Sequence, residues 1–97
     1  MPAKKLEVTL PAIRQLDEIL SSVSDYTGSL KSSEKLNSEL QKVFQRIAFL
    51  PKIGKKRDDE TRELFCRHYR IVYREYDDRV EIITVIHSRR KYPLLSS

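Results

Sequence analysis

One cysteine, two glycines, two histidines and no tryptophan occur in 97 residues. Each shortage removes a class of function. Cys66 alone can make no internal disulfide and no cysteine-based zinc site. Gly28 and Gly54 are too few and too far apart for a glycine-rich phosphate loop. His68 and His87 show neither metal-ligand spacing nor a Ser-His-Asp order, so neither metal nor cofactor is expected. No apolar run approaches the roughly 18 residues that span a bilayer. The opening MPAKKLEVTL has two lysines but no apolar core of a signal peptide. The expectation is a cytoplasmic protein that does not engage a membrane.

Charge is abundant. Asp, Glu, Lys and Arg make up 34% of the chain, hydrophobic residues 39%, and the formal net charge is +5. This is a soluble, folding composition of single-domain length, read as one domain over residues 1–97. Residues 1–50 carry seven Lys/Arg against six Asp/Glu, and residues 51–97 carry twelve against eight. The basic excess lies mostly in the second half, which suits nucleic acid, a ribosome or an acidic protein partner. Neither predicted helix has the dense basic face of a plain DNA-binding domain.

Periodicity divides the chain into elements. Leu6, Val8 and Leu10 alternate in residues 4 to 10 and predict a strand. Pro11 then suits the first turn of a helix. Its apolar stripe is Ile13, Leu16, Ile19, Leu20, Val23 and Tyr26, and Gly28 can close it. A second helix is predicted over 32 to 49, capped by Ser32 or Ser33 and stopped by Pro51. Its stripe is Leu36, Leu40, Val43, Phe44, Ile47 and Leu50. Residues 52 to 60 read as a polar loop. TRELFCR, HYRIVYREY and RVEIITVIH then read as three antiparallel strands, with turns at Arg67-His68 and Asp77-Asp78. In the middle strand Tyr69, Ile71 and Tyr73 share one face, and Arg70, Val72 and Arg74 the other. In the last, Val80, Ile82, Thr84 and Ile86 oppose Glu81, Ile83, Val85 and His87. Cys66 reads as a small, half-buried strand residue. A reactive thiol beside His68 is disfavoured, since adjacent strand residues point to opposite faces. The fold class is α+β: one strand, a helical hairpin, then a small antiparallel sheet with one face under the helices and one open face carrying Arg70, Arg74 and His87.

Three stretches, IAFLPKIG, ELFCRHYRIVYRE and VEIITVIHSRR, occur in this order. With them the chain, from about Val8 to Pro93, resembles the RelE/ParE toxin superfamily of bacterial type II toxin–antitoxin systems. The resemblance implies a compact growth-inhibiting toxin silenced by a cognate antitoxin, whose partly disordered acidic segment would cover the basic cluster. In the RelE branch the toxin enters the ribosome and cleaves mRNA. In the ParE branch it inhibits DNA gyrase without known nuclease activity.

RNA cleavage through the 2′-OH needs a base, cations for the phosphorane and an acid for the leaving oxygen, but no metal. By the resemblance, Arg70 matches the strand arginine of the RelE branch and Arg89 its second phosphate-binding arginine. The planar guanidinium suits that role. His87 can transfer protons near neutral pH. Tyr92 stands for the tyrosine that the RelE branch carries after its last strand, although it follows Arg89 by only three residues. Where that branch has lysines on the preceding strand, TRELFCR offers Arg62 and Arg67 and places Glu63, a candidate base. Lys55 and Lys56 can contribute only if their loop folds back onto the sheet. Arg90 and Lys91 complete the candidate phosphate-binding set.

Three readings follow. A ribosome-dependent mRNA-cleaving toxin requires Arg70, Arg89, His87 and Tyr92 to converge, with Glu63 or Lys55 and Lys56 nearby. A ParE-like inhibitor of gyrase requires the surface without the catalytic set. A degenerate member would mainly bind antitoxin.

Overall fold

The computed structural model describes residues 3–88. Strand β1 (Lys5–Val8) leads into helix α1 (Leu10–Thr27) and helix α2 (Leu30–Phe49). A 3-10 turn (Pro51–Ile53) follows, then β2 (Lys55–Lys56), β3 (Arg62–Cys66), β4 (Tyr69–Glu75) and β5 (Arg79–His87). The sheet order is β1-β5-β4-β3-β2, with β1 parallel to β5 and the rest antiparallel. The α+β architecture is therefore the expected one. Among the described residues no helix is long and apolar enough to cross a membrane.

The helix boundaries follow cap chemistry. Thr9 caps α1 by accepting the Ala12 N–H, and Gly28 ends it at φ 66, where a Cβ would be strained. The second cap is Ser29, which accepts the Ser32 N–H, so α2 begins two residues before the predicted Ser32. Core side chains from both helices meet the sheet: Leu16, Leu36, Leu40, Phe44 and Ile47 pack against Ile71, Tyr73, Val80, Ile82 and Val85. The ends of the predicted stripes are not core. Ile13, Tyr26 and Leu50 are exposed: the buried face of α1 at this end is that of Ala12 and Leu16, and Leu50 lies past the last turn of α2.

Two features of the sheet depart from the sequence reading. Residues 55–56, read as loop, form edge strand β2, pairing Lys55 with Glu63 and Lys56 with Arg62. In β5 the register jumps. Val72 faces Thr84 and Tyr73 faces Ile82, so Ile83 is an extra, unpaired residue. This bulge reverses the alternation. Val85 therefore joins Val80 and Ile82 in the core, instead of facing away from them. The bulge is fastened to the start of α1. Thr9 Oγ1 donates to the Ile83 carbonyl at 2.9 Å, and Gln15 Oε1 accepts from the Val85 N–H at 3.0 Å and from Thr84 Oγ1. The second face is also less open than expected, since Val72 has no exposed surface and Ile86 is nearly closed.

Tyr73 ties the chain after α2 to the middle of the sheet. Its hydroxyl accepts the Gly54 N–H at 2.8 Å and donates to the Pro51 carbonyl at 2.7 Å, with the side chain wholly buried. Burial pushes this hydroxyl above its ordinary pKa of 10.0, partly opposed by the Gly54 hydrogen bond. Tyr73→Phe keeps the ring but strands two backbone groups, so urea denaturation should show a loss of about 1–3 kcal/mol. Gly54→Ala should cost more, since its Cβ would lie 2.4 Å from Tyr73 Oη and 2.9 Å from the Glu63 carbonyl oxygen. The native state holds the Tyr73 proton more tightly than the unfolded chain. Its contribution is thus complete below pH 10 and falls as pH rises above it. Tyr73→Phe should flatten that alkaline decline.

Candidate functional site

On the face of the sheet away from the helical core, cross-strand pairing sets Lys55, Glu63 and Val72 in one row and Phe65, Arg70 and Ile86 in the next. Lys55 is thereby brought to the same face as Glu63 and Arg70, the folding-back that the sequence required of its loop. Lys55 and Lys56 are both exposed on the edge.

Arg70 is the centre of this face, and its guanidinium is committed. Nη1 donates to Glu63 Oε2 at 3.3 Å and Nη2 to the Ser88 carbonyl at 3.0 Å. The Arg70 Cζ lies 5.3 Å from the centre of the Phe65 ring. Arg70 and Glu63 are 21% and 15% exposed, so this ion pair is largely withdrawn from solvent. A substrate phosphate would have to displace Glu63, and Glu63 would have to leave Arg70 before acting as a base. Arg70 Nε is closed off with no hydrogen-bond partner among the described residues.

The remaining candidates are dispersed. His87 was expected beside Arg70 on the open face. The bulge instead sets it opposite Tyr69, whose ring it meets edge-on at 6.1 Å, on the side of the helices. It lines a groove with Gln15, Glu18 and Ile19 of α1, and its ring lies nearly parallel to His68 at 6.3 Å. Arg62 donates to the Gly54 carbonyl at 2.9 Å and holds the chain before β2. Arg67, in the β3–β4 turn at φ 54, pairs with Glu39 of α2. Both arginines hold the fold together. Arg89, Arg90, Lys91 and Tyr92 lie outside the described residues. Among those described, no three His, Cys, Asp or Glu side chains are grouped to hold a metal ion.

As a sheet arginine, Arg70 could from the sequence pair with either Glu81 or Glu63; the structure pairs it with Glu63 and sets Glu81 opposite Arg74, and the other partners of Arg70 were missed. Phe65 follows from counting the β3–β4 register, but the Ser88 carbonyl depends on where β5 ends and carries no side-chain signal. Cys66 is a buried strand residue, and burial together with Glu39 pushes its thiol up, against the opposing pull of Arg67.

Two outcomes are expected. Arg70→Ala should lower stability by about 1–3 kcal/mol in urea titration, because it leaves the Glu63 carboxylate unpaired in a nearly closed site. Replacing both partners, Arg70→Met with Glu63→Leu, should recover most of that loss. At pH 8, iodoacetamide should alkylate Cys66 at least about tenfold more slowly in the folded protein than in denaturant, since the thiolate is the reactive form.

Comparison with known proteins bears on the fold and the family. The family described as the ParE toxin of the type II toxin-antitoxin system, parDE, matches residues 6–92. A chain from the chromosomal ParDE toxin–antitoxin system of P. aeruginosa superposes with a TM-score of 0.76 at 16% identity, covering 88% of this chain and 96% of its own. A chain from the toxin–antitoxin complex RelBE2 of Mycobacterium tuberculosis superposes with a TM-score of 0.58 at 23% identity, covering 90% and 93%. No curated protein sequence matches. At these identities the two structures speak for the fold, while the family match extends over nearly the whole chain: the protein belongs to the ParE toxin family of type II toxin–antitoxin systems.

Proposed function

We propose that this toxin inhibits growth by binding a protein target, with DNA gyrase as that target, and does not act as a nuclease. The observation that carries this reading is the state of Arg70. Its guanidinium is spent on Glu63 and the Ser88 carbonyl. An arginine built to clamp a phosphorane needs its fork free or held by groups that the phosphate can replace at little cost. Here the competitor is an intramolecular carboxylate already in place. Proton transfer fares no better, because His87 stands on the helix side of the sheet, away from Arg70. The antitoxin partner belongs to the family reading; gyrase comes from the resemblance to the ParE branch.

A second reading, ribosome-dependent mRNA cleavage, has one observation in its favour. Edge strand β2 places Lys55 beside Glu63 on the Arg70 face, which returns a lysine to that region. It would act together with Arg89 and Tyr92.

Purified toxin should be added to a reconstituted translation system, with mRNA ends mapped by primer extension, and to a gyrase supercoiling assay. Blocked supercoiling with intact mRNA is the expected result. Ribosome-dependent mRNA ends that disappear in Arg89→Ala would overturn the proposal and establish the nuclease. No effect in either assay would leave a member that mainly binds antitoxin.

A further inference from the structure

Strand β1 ends the sheet, and among the described residues no strand pairs with its outer side. The Thr9 N–H bonds the Ile82 carbonyl, so Thr9, Glu7 and Lys5 turn their backbone groups toward β5. The N–H and C=O groups of Leu6 and Val8 therefore point outward, away from β5. An open edge of this kind is a template for another strand. Exposed apolar side chains flank both of its ends. Leu10, 58% exposed, and Ile13 open α1 directly after β1. At the other end the Lys4 N–H bonds the Ala48 carbonyl at 2.9 Å, which holds the last turn of α2 beside the start of the strand. There Phe49, 59% exposed, and Leu50, 52% exposed, line with Ile53 a shallow apolar groove of about 410 Å³. Single exposed apolar residues are ordinary, but two sets placed at the two ends of one open strand mark an interaction surface.

The charges of the strand identify its partner. Lys5 and Glu7 share one face of β1, and Leu6 between them points to the other. Let a second copy pair antiparallel with β1 about a two-fold axis at Leu6. Leu6 then meets the partner's Leu6, Lys5 meets the partner's Glu7, and Glu7 meets the partner's Lys5. Both charged pairs fall at the closely spaced positions of the ladder, where side chains approach most. An axis at Glu7 or at Lys5 would oppose like charges. An axis between residues would turn the apolar face of one copy to the polar face of the other. Charge and face together thus select one register. Within one chain Glu7 lies 3.8 Å from Lys5 and 3.3 Å from Arg79, all at solvent-accessible positions, and such contacts are weak enough to be shared across the axis. The same axis brings the start of each β1 to the end of the other. Phe49 and Leu50 of one copy then face Leu10 and Ile13 of its partner, with both helical layers on one side of the joined sheet. We infer that two copies of this toxin associate through β1, joining their sheets edge to edge across Leu6 and closing the apolar ends of α1 and α2 over one another. Strand β2 lies at the opposite end of the sheet order and stays clear of this contact. A short strand pair with these apolar contacts is small beside the roughly 800 Å² per partner of a standard interface, so the dimer should be reversible, with a Kd of roughly micromolar order.

Sedimentation velocity on the purified toxin over a range of concentrations measures this association. In Lys5→Glu both charged pairs become acid against acid, and in Glu7→Lys both become base against base. Each variant alone should raise the dimer Kd at least about tenfold, since two cross-strand pairs change sign. An equimolar mixture of the two should recover wild-type affinity, because their heterodimer restores opposite charges at both positions. Phe49→Asp should also weaken the dimer at least about tenfold, by removing an apolar contact at each end of the strand pair. Lys5 and Phe49 are exposed and Glu7 is half-buried only, so the unfolding midpoint of each dilute variant should stay near that of the wild type. A wild-type toxin that remains monomeric at roughly millimolar concentration would overturn the inference. So would a mixture that associates no better than its two components. Dimerisation lost in Phe49→Asp but untouched by either charge reversal would overturn the strand pairing in favour of contact between the apolar ends alone.

Discussion

A buried phenol hydroxyl must find partners or destabilise the core that surrounds it, and Tyr73 finds both of its partners in one short segment. That requirement fixes much else. Pro51 ends α2 and Gly54 comes close enough that no Cβ fits between it and the ring. The chain therefore leaves the helices at a set height above β4 and enters the sheet edge at Lys55 in register with Glu63. The exposed apolar residues at the end of α2 and the lysines of β2 lie on either side of this one fastening. Loosening it would disturb the apolar groove and the basic edge together, although neither touches Tyr73 through its own side chain chemistry.

The two sheet edges are managed differently. On one side β2 is two residues long and both are lysines, which blunts the edge by charge and brevity. On the other, β1 covers only the first part of β5, and beyond it Gln15 occupies the Val85 N–H that another strand would otherwise seek. An α1 side chain thus finishes the work of an edge strand. The same contacts sit at the Ile83 bulge, so the device that covers the edge also holds the kink that turns Val85 inward.

The element order was legible because helical and strand periodicities are local. Gly28, Pro51 and the turns at Arg67-His68 and Asp77-Asp78 mark real boundaries. What the sequence could not carry was register. A bulge is a decision about pairing, and nothing in VEIITVIH distinguishes Ile83 from its neighbours. Yet that single residue moves His87 from the face of Arg70 to the side of α1. Likewise β2 is too short to show alternation, and its existence depends on the Tyr73 fastening elsewhere in the chain. For the candidate site, the sequence left Glu81 and Glu63 both open as partners of Arg70, and register decides for Glu63; the Ser88 carbonyl was not legible, being a backbone group.

The pairing of Arg70 with Glu63 sets the character of the sheet face. A sheet face with free cations can gather a phosphate. On this face the carboxylate of Glu63 occupies Arg70, and the Phe65 ring stays exposed beside it. Removing such a carboxylate would free the Arg70 fork but leave the imidazole of His87 on the other side of the sheet, where the bulge holds it. Bringing the imidazole to the face of Arg70 would take a change of strand register, not of a side chain in the site. In this sheet, then, which side chains share a face is set less by which residues are present than by how β5 is aligned against β4.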